Sequence, residues 1–95
     1  MSQGPAIAPL NFSLHALAVM AERGIKRAWV ERVLGSPEWT ESDPTDATLR
    51  RAFGRVQESG GRVLRVVYHE TKGARRVVTV FFDRRHRRGE AKERS

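Results

Sequence analysis

The sequence contains no cysteine. That absence removes disulfides, thiolate zinc sites and cysteine nucleophiles together, and it fits a cytoplasmic protein. Long hydrophobic runs are also missing. The densest apolar stretch, VVTVFF at 77–82, is far shorter than the ~20 residues a spanning helix needs, so no membrane association is expected. The opening MSQGPAIAPL lacks a positive region followed by a true hydrophobic one, and it reads as carrying no signal peptide. With 95 residues, the chain has room for one core only.

Metal and nucleotide chemistry lack their usual residues. There are three histidines, and no two share helical i, i+4 spacing. The predicted strands carry no acidic cluster, because Glu58 and Glu70 both fall at turns. A magnesium-dependent nuclease needs converging carboxylates. The acids of 37–48 could supply them only if that segment folded over the sheet. Asp83 and His86 form a D-x-x-H, which is too common to count. No glycine-rich phosphate loop follows a strand. No metal and no small-molecule cofactor is therefore expected.

Positive charge is what the sequence has in excess. Lys plus Arg is 18 against 11 acids, for a net charge of +7. Only Lys26, Lys72 and Lys92 are lysine, so the excess is mostly arginine. A guanidinium grips phosphate with two donors, whereas an ammonium acts as a point charge. The balance points to a nucleic acid or an acidic protein as partner. The charge is uneven. Residues 37–48, PEWTESDPTDAT, hold four acids and no base, whereas residues 49–82 hold eight bases and two acids. A basic region follows an acidic connector.

Residues 1–10 read as a flexible leader and 86–95 as a flexible basic tail, leaving one domain over 11–85. In NFSLHALAVMAERGI, Ser13 can cap a helix, since its hydroxyl can accept an orphan N–H of the first turn. Leu14, Leu17, Ala18 and Ala21 recur at i, i+3, i+4, i+7, which predicts the buried face of that helix. His15 falls off this stripe. It reads either as an anchor tying the helix to the sheet or as a proton acceptor. Gly24 is a natural stop. A second helix is predicted from Lys26 to Leu34, with Trp29, Val30, Val33 and Leu34 inward. The period then changes. LRRAFGRV (49–56), RVLRVVYHE (62–70) and RRVVTVFF (75–82) read as strands, joined by turns at ESGG and TKGA. EWTES (38–42) is a candidate edge strand. The expected fold is α+β: an N-terminal helical hairpin packed on one face of a small antiparallel sheet of three to four strands.

Arginines and aromatics on such a sheet suggest an RNA platform. Arg51 and Arg55 share one strand face, Arg65 and His69 share another, and Tyr68 lies opposite them. RNA cleavage needs no metal, because the ribose 2′-OH can attack the adjacent phosphate. The protein would orient the strand, move protons through a histidine or tyrosine, and stabilise charge with arginine.

The segments FSLHALAVMAERGIKRAWVERVLGSPE and LRVVYHETKGARRVVTVFFDRR resemble the domain-of-unknown-function family 4258. That family resembles the BrnT branch of the RelE/ParE-type toxins. The likeness covers roughly residues 12–85. The resemblance implies a RelE/ParE-like fold and a toxin-like, metal-independent endoribonuclease of a toxin–antitoxin pair. Its partners would be RNA, including ribosome-bound messenger RNA, and a cognate antitoxin protein. The open alternatives are a non-catalytic RNA- or protein-binding module, including one that acts on a gyrase-like target, and an orphan structural domain. The candidate catalytic residues are His15, Arg65, Tyr68 and His69. The candidate phosphate-binding residues are Arg23, Arg51, Arg55, Arg84 and Arg85.

Overall fold

The computed structural model describes residues 10–71 and 73–84. In chain order these form β1 (Leu10–Phe12), α1 (Leu14–Arg23), α2 (Arg27–Gly35), β2 (Trp39–Ser42), β3 (Leu49–Val56), a short 3-10 turn (Gln57–Ser59), β4 (Arg62–Thr71) and β5 (Ala74–Phe82). The strands make one sheet in the order β1-β5-β4-β3-β2. The α+β class holds, but the expected sheet of three to four antiparallel strands does not. The described sheet has five strands and is mixed, because β1 pairs with β5 in parallel. Leu10, Asn11 and Phe12 lie against Arg75, Arg76 and Val77. A three-residue strand is too short to show a period of two, and its partner lies more than sixty residues away in the chain.

Local chemistry explains the helix ends. Ser13 has extended backbone, and its Oγ accepts the Ala16 N–H at 3.0 Å. The same hydroxyl donates to the Val78 carbonyl at 3.0 Å, and the Ser13 N–H donates to the Val77 carbonyl at 2.9 Å. Between Val67/Tyr68 of β4 and Thr79/Val77 of β5 the register slips by one residue, which leaves Val78 as a bulge. Ser13 therefore caps α1 and also satisfies the bulged backbone. Gly24 closes α1 at φ 67°, where a side chain would be strained.

Both helices pack on the same face of the sheet. Trp29, Val30, Val33 and Leu34 of α2 are buried there, as their spacing predicts. They meet Ala52, Val56, Leu64, Val66, Tyr68, Val77 and Val80. Gly54 lets α2 approach closely: a Cβ there would sit 3.2 Å from Cγ2 of Val33.

For α1 the predicted inward stripe is wrong. Ala16 and Met20 are the buried residues, whereas Leu14 is 84% exposed and Leu17 45%. Ala18 and Ala21 are exposed as well. The helix has two apolar faces, and periodicity alone cannot choose between them. The two bonds from Ser13 to β5 tie down the helix start, and small Ala16 fits against the crowded sheet surface. No helix among the described residues is long and apolar enough to cross a membrane.

Candidate nucleic-acid interface

No described helix covers the other face of the sheet. One row of paired residues crosses four strands there: Trp39 opposes Phe53, Phe53 opposes Arg65, and Arg65 opposes Phe81. The Trp39 and Phe53 rings stack 4.7 Å apart and only 5° from parallel. The Arg65 guanidinium lies between the Phe53 and Phe81 rings, at 5.6 and 4.5 Å from their centres. Arg65 also donates from Nε at 3.1 Å and from Nη2 at 2.5 Å to Oδ2 of Asp83, just past β5. Both side chains are buried, at 8% and 2% exposure.

The flanking rows hold ion pairs too. Arg51 lies 3.6 Å from Oε1 of Glu41 and 3.4 Å from Oδ2 of Asp43. Arg55 donates from Nη1 to Glu38, and its backbone N–H donates to the same carboxylate at 2.9 Å. These carboxylates come from the acidic connector. That segment runs alongside β3 as β2, and its acids neutralise the β3 arginines instead of converging on a metal. Among the described residues, no group of three or more His, Asp or Glu side chains could hold a metal ion. In the connector loop, the Asp43 carboxyl is held below its ordinary range, first by hydrogen bonds from the backbone and hydroxyl of Thr45, then by the Asp46 N–H and the nearby Arg51. Asp46 is lowered likewise, first by the Thr48 hydroxyl and then by its N–H, with a smaller contribution from the charge of His69.

The candidate catalytic residues do not meet at one point. Arg65 and His69 share the face of β4 away from the described helices, but four residues of strand separate them by roughly 13 Å. Tyr68 is buried on the opposite face, the one the helices cover, with the Arg75 guanidinium 5.8 Å from its ring centre. His15 is exposed on α1, which also lies on that opposite side. His69 is half-buried, facing Leu49 on one side and Arg76 on the other.

Of the candidate phosphate ligands, Arg51 and Arg55 are engaged with acids. Arg23, in the last turn of α1, and Arg84, just after β5, are exposed. Arg85 and the tail lie outside the described residues. A further exposed arginine, Arg62 at the start of β4, carries no local sequence signal of a role. Its guanidinium sits 3.9 Å from the Phe82 ring centre and donates to Ser59 Oγ at 2.7 Å. Leu64 pairs with Phe82, and the Asp83 N–H donates to the Val63 carbonyl, so the register carries Arg84, just past β5, toward Arg62 at the start of β4. Neither is salt-bridged to a carboxylate among the described residues. Only the strand register reveals this approach, because the two residues are 22 apart in the chain.

The fold is thus an α+β domain with both described helices on one face of its sheet. Arg51, Arg55 and Arg65, on the other face, are paired with acids, whereas Arg23, Arg50, Arg62, Arg76 and Arg84 are exposed and have no salt bridge among the described residues. A family model described as Domain of unknown function (DUF4258) matches residues 12–82, most of the chain. The chain belongs to that family. No curated protein and no solved structure shows significant similarity to it.

Proposed function

We propose that this protein is a non-catalytic RNA-binding module of the cytoplasm, with phosphates held at the end of the sheet where Arg62 and Arg84 lie. One contrast supports this reading. Arg51, Arg55 and Arg65 each have a carboxylate partner, whereas Arg62 and Arg84 are exposed and have none among the described residues; Arg23, Arg50 and Arg76 share that lack, but the strand register carries Arg84 toward Arg62. A cation already paired gains little from a phosphate, because the existing partner must be released first. An uncompensated one releases counterions from the RNA and gains affinity. In sequence, the segment after Asp83, RRHRRGEAKERS, is also rich in arginine.

Anisotropy of a labelled single-stranded RNA, titrated with the full chain at several salt concentrations, tests this reading. Affinity should fall steeply with salt. Arg62→Ala and Arg84→Ala should each lower the log–log slope by about 0.7, the single-strand value per phosphate contact. Arg51→Ala should leave the slope near that of the wild type. A salt-independent response would rule out phosphate binding.

A second reading is favoured by the His69–Arg76 pair on neighbouring strands. In a toxin-like, metal-independent endoribonuclease, His69 would take the 2′-OH proton as that oxygen attacks phosphorus, the P–O5′ bond would break with that proton returned to the leaving 5′-oxygen, and Arg76 would hold the scissile phosphate. The resemblance to BrnT-branch toxins fits that reading, and a cognate antitoxin would be its protein partner. Incubation of RNA with the protein in EDTA, with and without ribosomes, should then yield 2′,3′-cyclic phosphate ends that His69→Ala abolishes. Intact RNA in every wild-type reaction would dismiss the nuclease.

A further inference from the structure

We propose that the outward face of α1 is a self-docking surface, taken by α1 of a second copy of this chain in antiparallel orientation. The face consists of Leu14, Leu17, Ala18 and Ala21, all exposed. At about 100° per residue these four form a single stripe, opposite the Ala16 and Met20 side that meets the sheet. Single exposed leucines are ordinary on a surface. A stripe that keeps helical spacing along the whole helix while facing away from its own core is not.

The order of sizes along the stripe identifies the occupant. It reads large, large, small, small. An antiparallel copy centred between residues 17 and 18 sets Leu14 against Ala21 and Leu17 against Ala18, and the two-fold repeats both contacts in reverse. Every leucine meets an alanine, so the helices can approach closely without a void. An unrelated partner would place no such condition on the order. Charge fits as well. His15 and Glu22 are exposed on one flank of the stripe, about 20° apart around the helix. The same two-fold brings His15 of each copy toward Glu22 of the other, so the flank carries complementary rather than like groups. The rest of the molecule opposes association, since each copy bears a net charge of +7. Two ten-residue helices also bury less than the ~1,200 Å² of a standard complex. The dimer is therefore weak, and salt strengthens it by screening the repulsion. That salt response has the opposite sign to RNA binding.

Sedimentation velocity of the full chain from about 10 µM to 1 mM, a range suited to a small interface, tests the proposal. The wild type should pass from monomer to dimer across this range, at lower concentration in higher salt. Ala18→Glu puts a charge at the centre of the stripe but suits an exposed helix position. It should remain monomeric with unchanged circular dichroism and melting temperature. The chain has no cysteine, so a second readout is clean: Ala18→Cys should oxidise to a disulfide-linked dimer faster than Ala28→Cys, at an exposed position on α2. A wild type that stays monomeric throughout, an Ala18→Glu chain that dimerises equally, or equal oxidation of the two cysteine variants would each overturn the proposal.

Discussion

Asp83 receives two hydrogen bonds on one carboxylate oxygen from Arg65, and both residues are withdrawn from solvent. The pair joins the middle of β4 to the residue just past β5, and two phenylalanine rings flank its cation.

Breaking this pair should be costly. Asp83→Ala leaves a buried guanidinium without that partner, so a loss of about 3–5 kcal/mol is expected. The whole stability of a domain this size is about 5–14 kcal/mol. The double variant Arg65→Met, Asp83→Leu should recover most of the loss, since Met can fill the slot between the rings. Urea unfolding midpoints measure both. A single variant within about 0.5 kcal/mol of the wild type, the level of an ordinary surface change, would show that the pair does not carry that load.

Gly54→Ala should destabilise by about 1–3 kcal/mol, the usual cost of overpacking. The new methyl would lie 3.2 Å from Val33, which is itself 3% exposed and cannot retreat without moving α2. Adding Val33→Ala should restore part of the loss. Additive losses in the double variant would count against the contact.

Ser13→Ala should cost about 1–2 kcal/mol, because it removes a helix cap and a tether to the β5 bulge at once. Ser13→Thr keeps the hydroxyl and should cost much less. Thermal melts of the two variants separate the hydroxyl's role from that of side-chain size. Equal losses would discredit the tether.

Acid should weaken the connector loop. The carboxyls of Asp43 and Asp46 are lowered in the folded protein, so they stabilise it above the ordinary aspartate range, near pH 4. That contribution is lost as the pH falls through their lowered values. The same sign applies to Glu58, lowered first by its hydrogen bond from Arg32. Asp43→Asn should be less stable than the wild type at pH 7 and show a shallower decline between pH 5 and 2. Parallel stability curves for the two proteins would refute the linkage.

Much of the fold is legible in the sequence where the signal is local. Ser13 and Gly24 end α1 as their chemistry predicts, and the spacing of Trp29, Val30, Val33 and Leu34 marks the buried side of α2. EWTES, read as a candidate edge strand, forms β2 as Trp39–Ser42. The site was far less legible. Alternation correctly separates Tyr68 from Arg65 and His69, but nothing local says that Asp83 will claim Arg65. Nor does the chain order say that Glu38, Glu41 and Asp43 will be laid against the β3 arginines.

Caps, turns and strand alternation depend on neighbours within a few residues, and the net charge of +7 on composition alone, so these are readable from the chain. Three features arise instead from contacts between residues far apart in it. The leucine side of α1 faces outward, because Ser13 is fastened to β5 while Ala16 and Met20 meet the sheet. A parallel strand joins the sheet, because three residues near one end meet a partner near the other. Which arginines keep their charge available is the third, because pairing joins residues far apart in the chain and close in space.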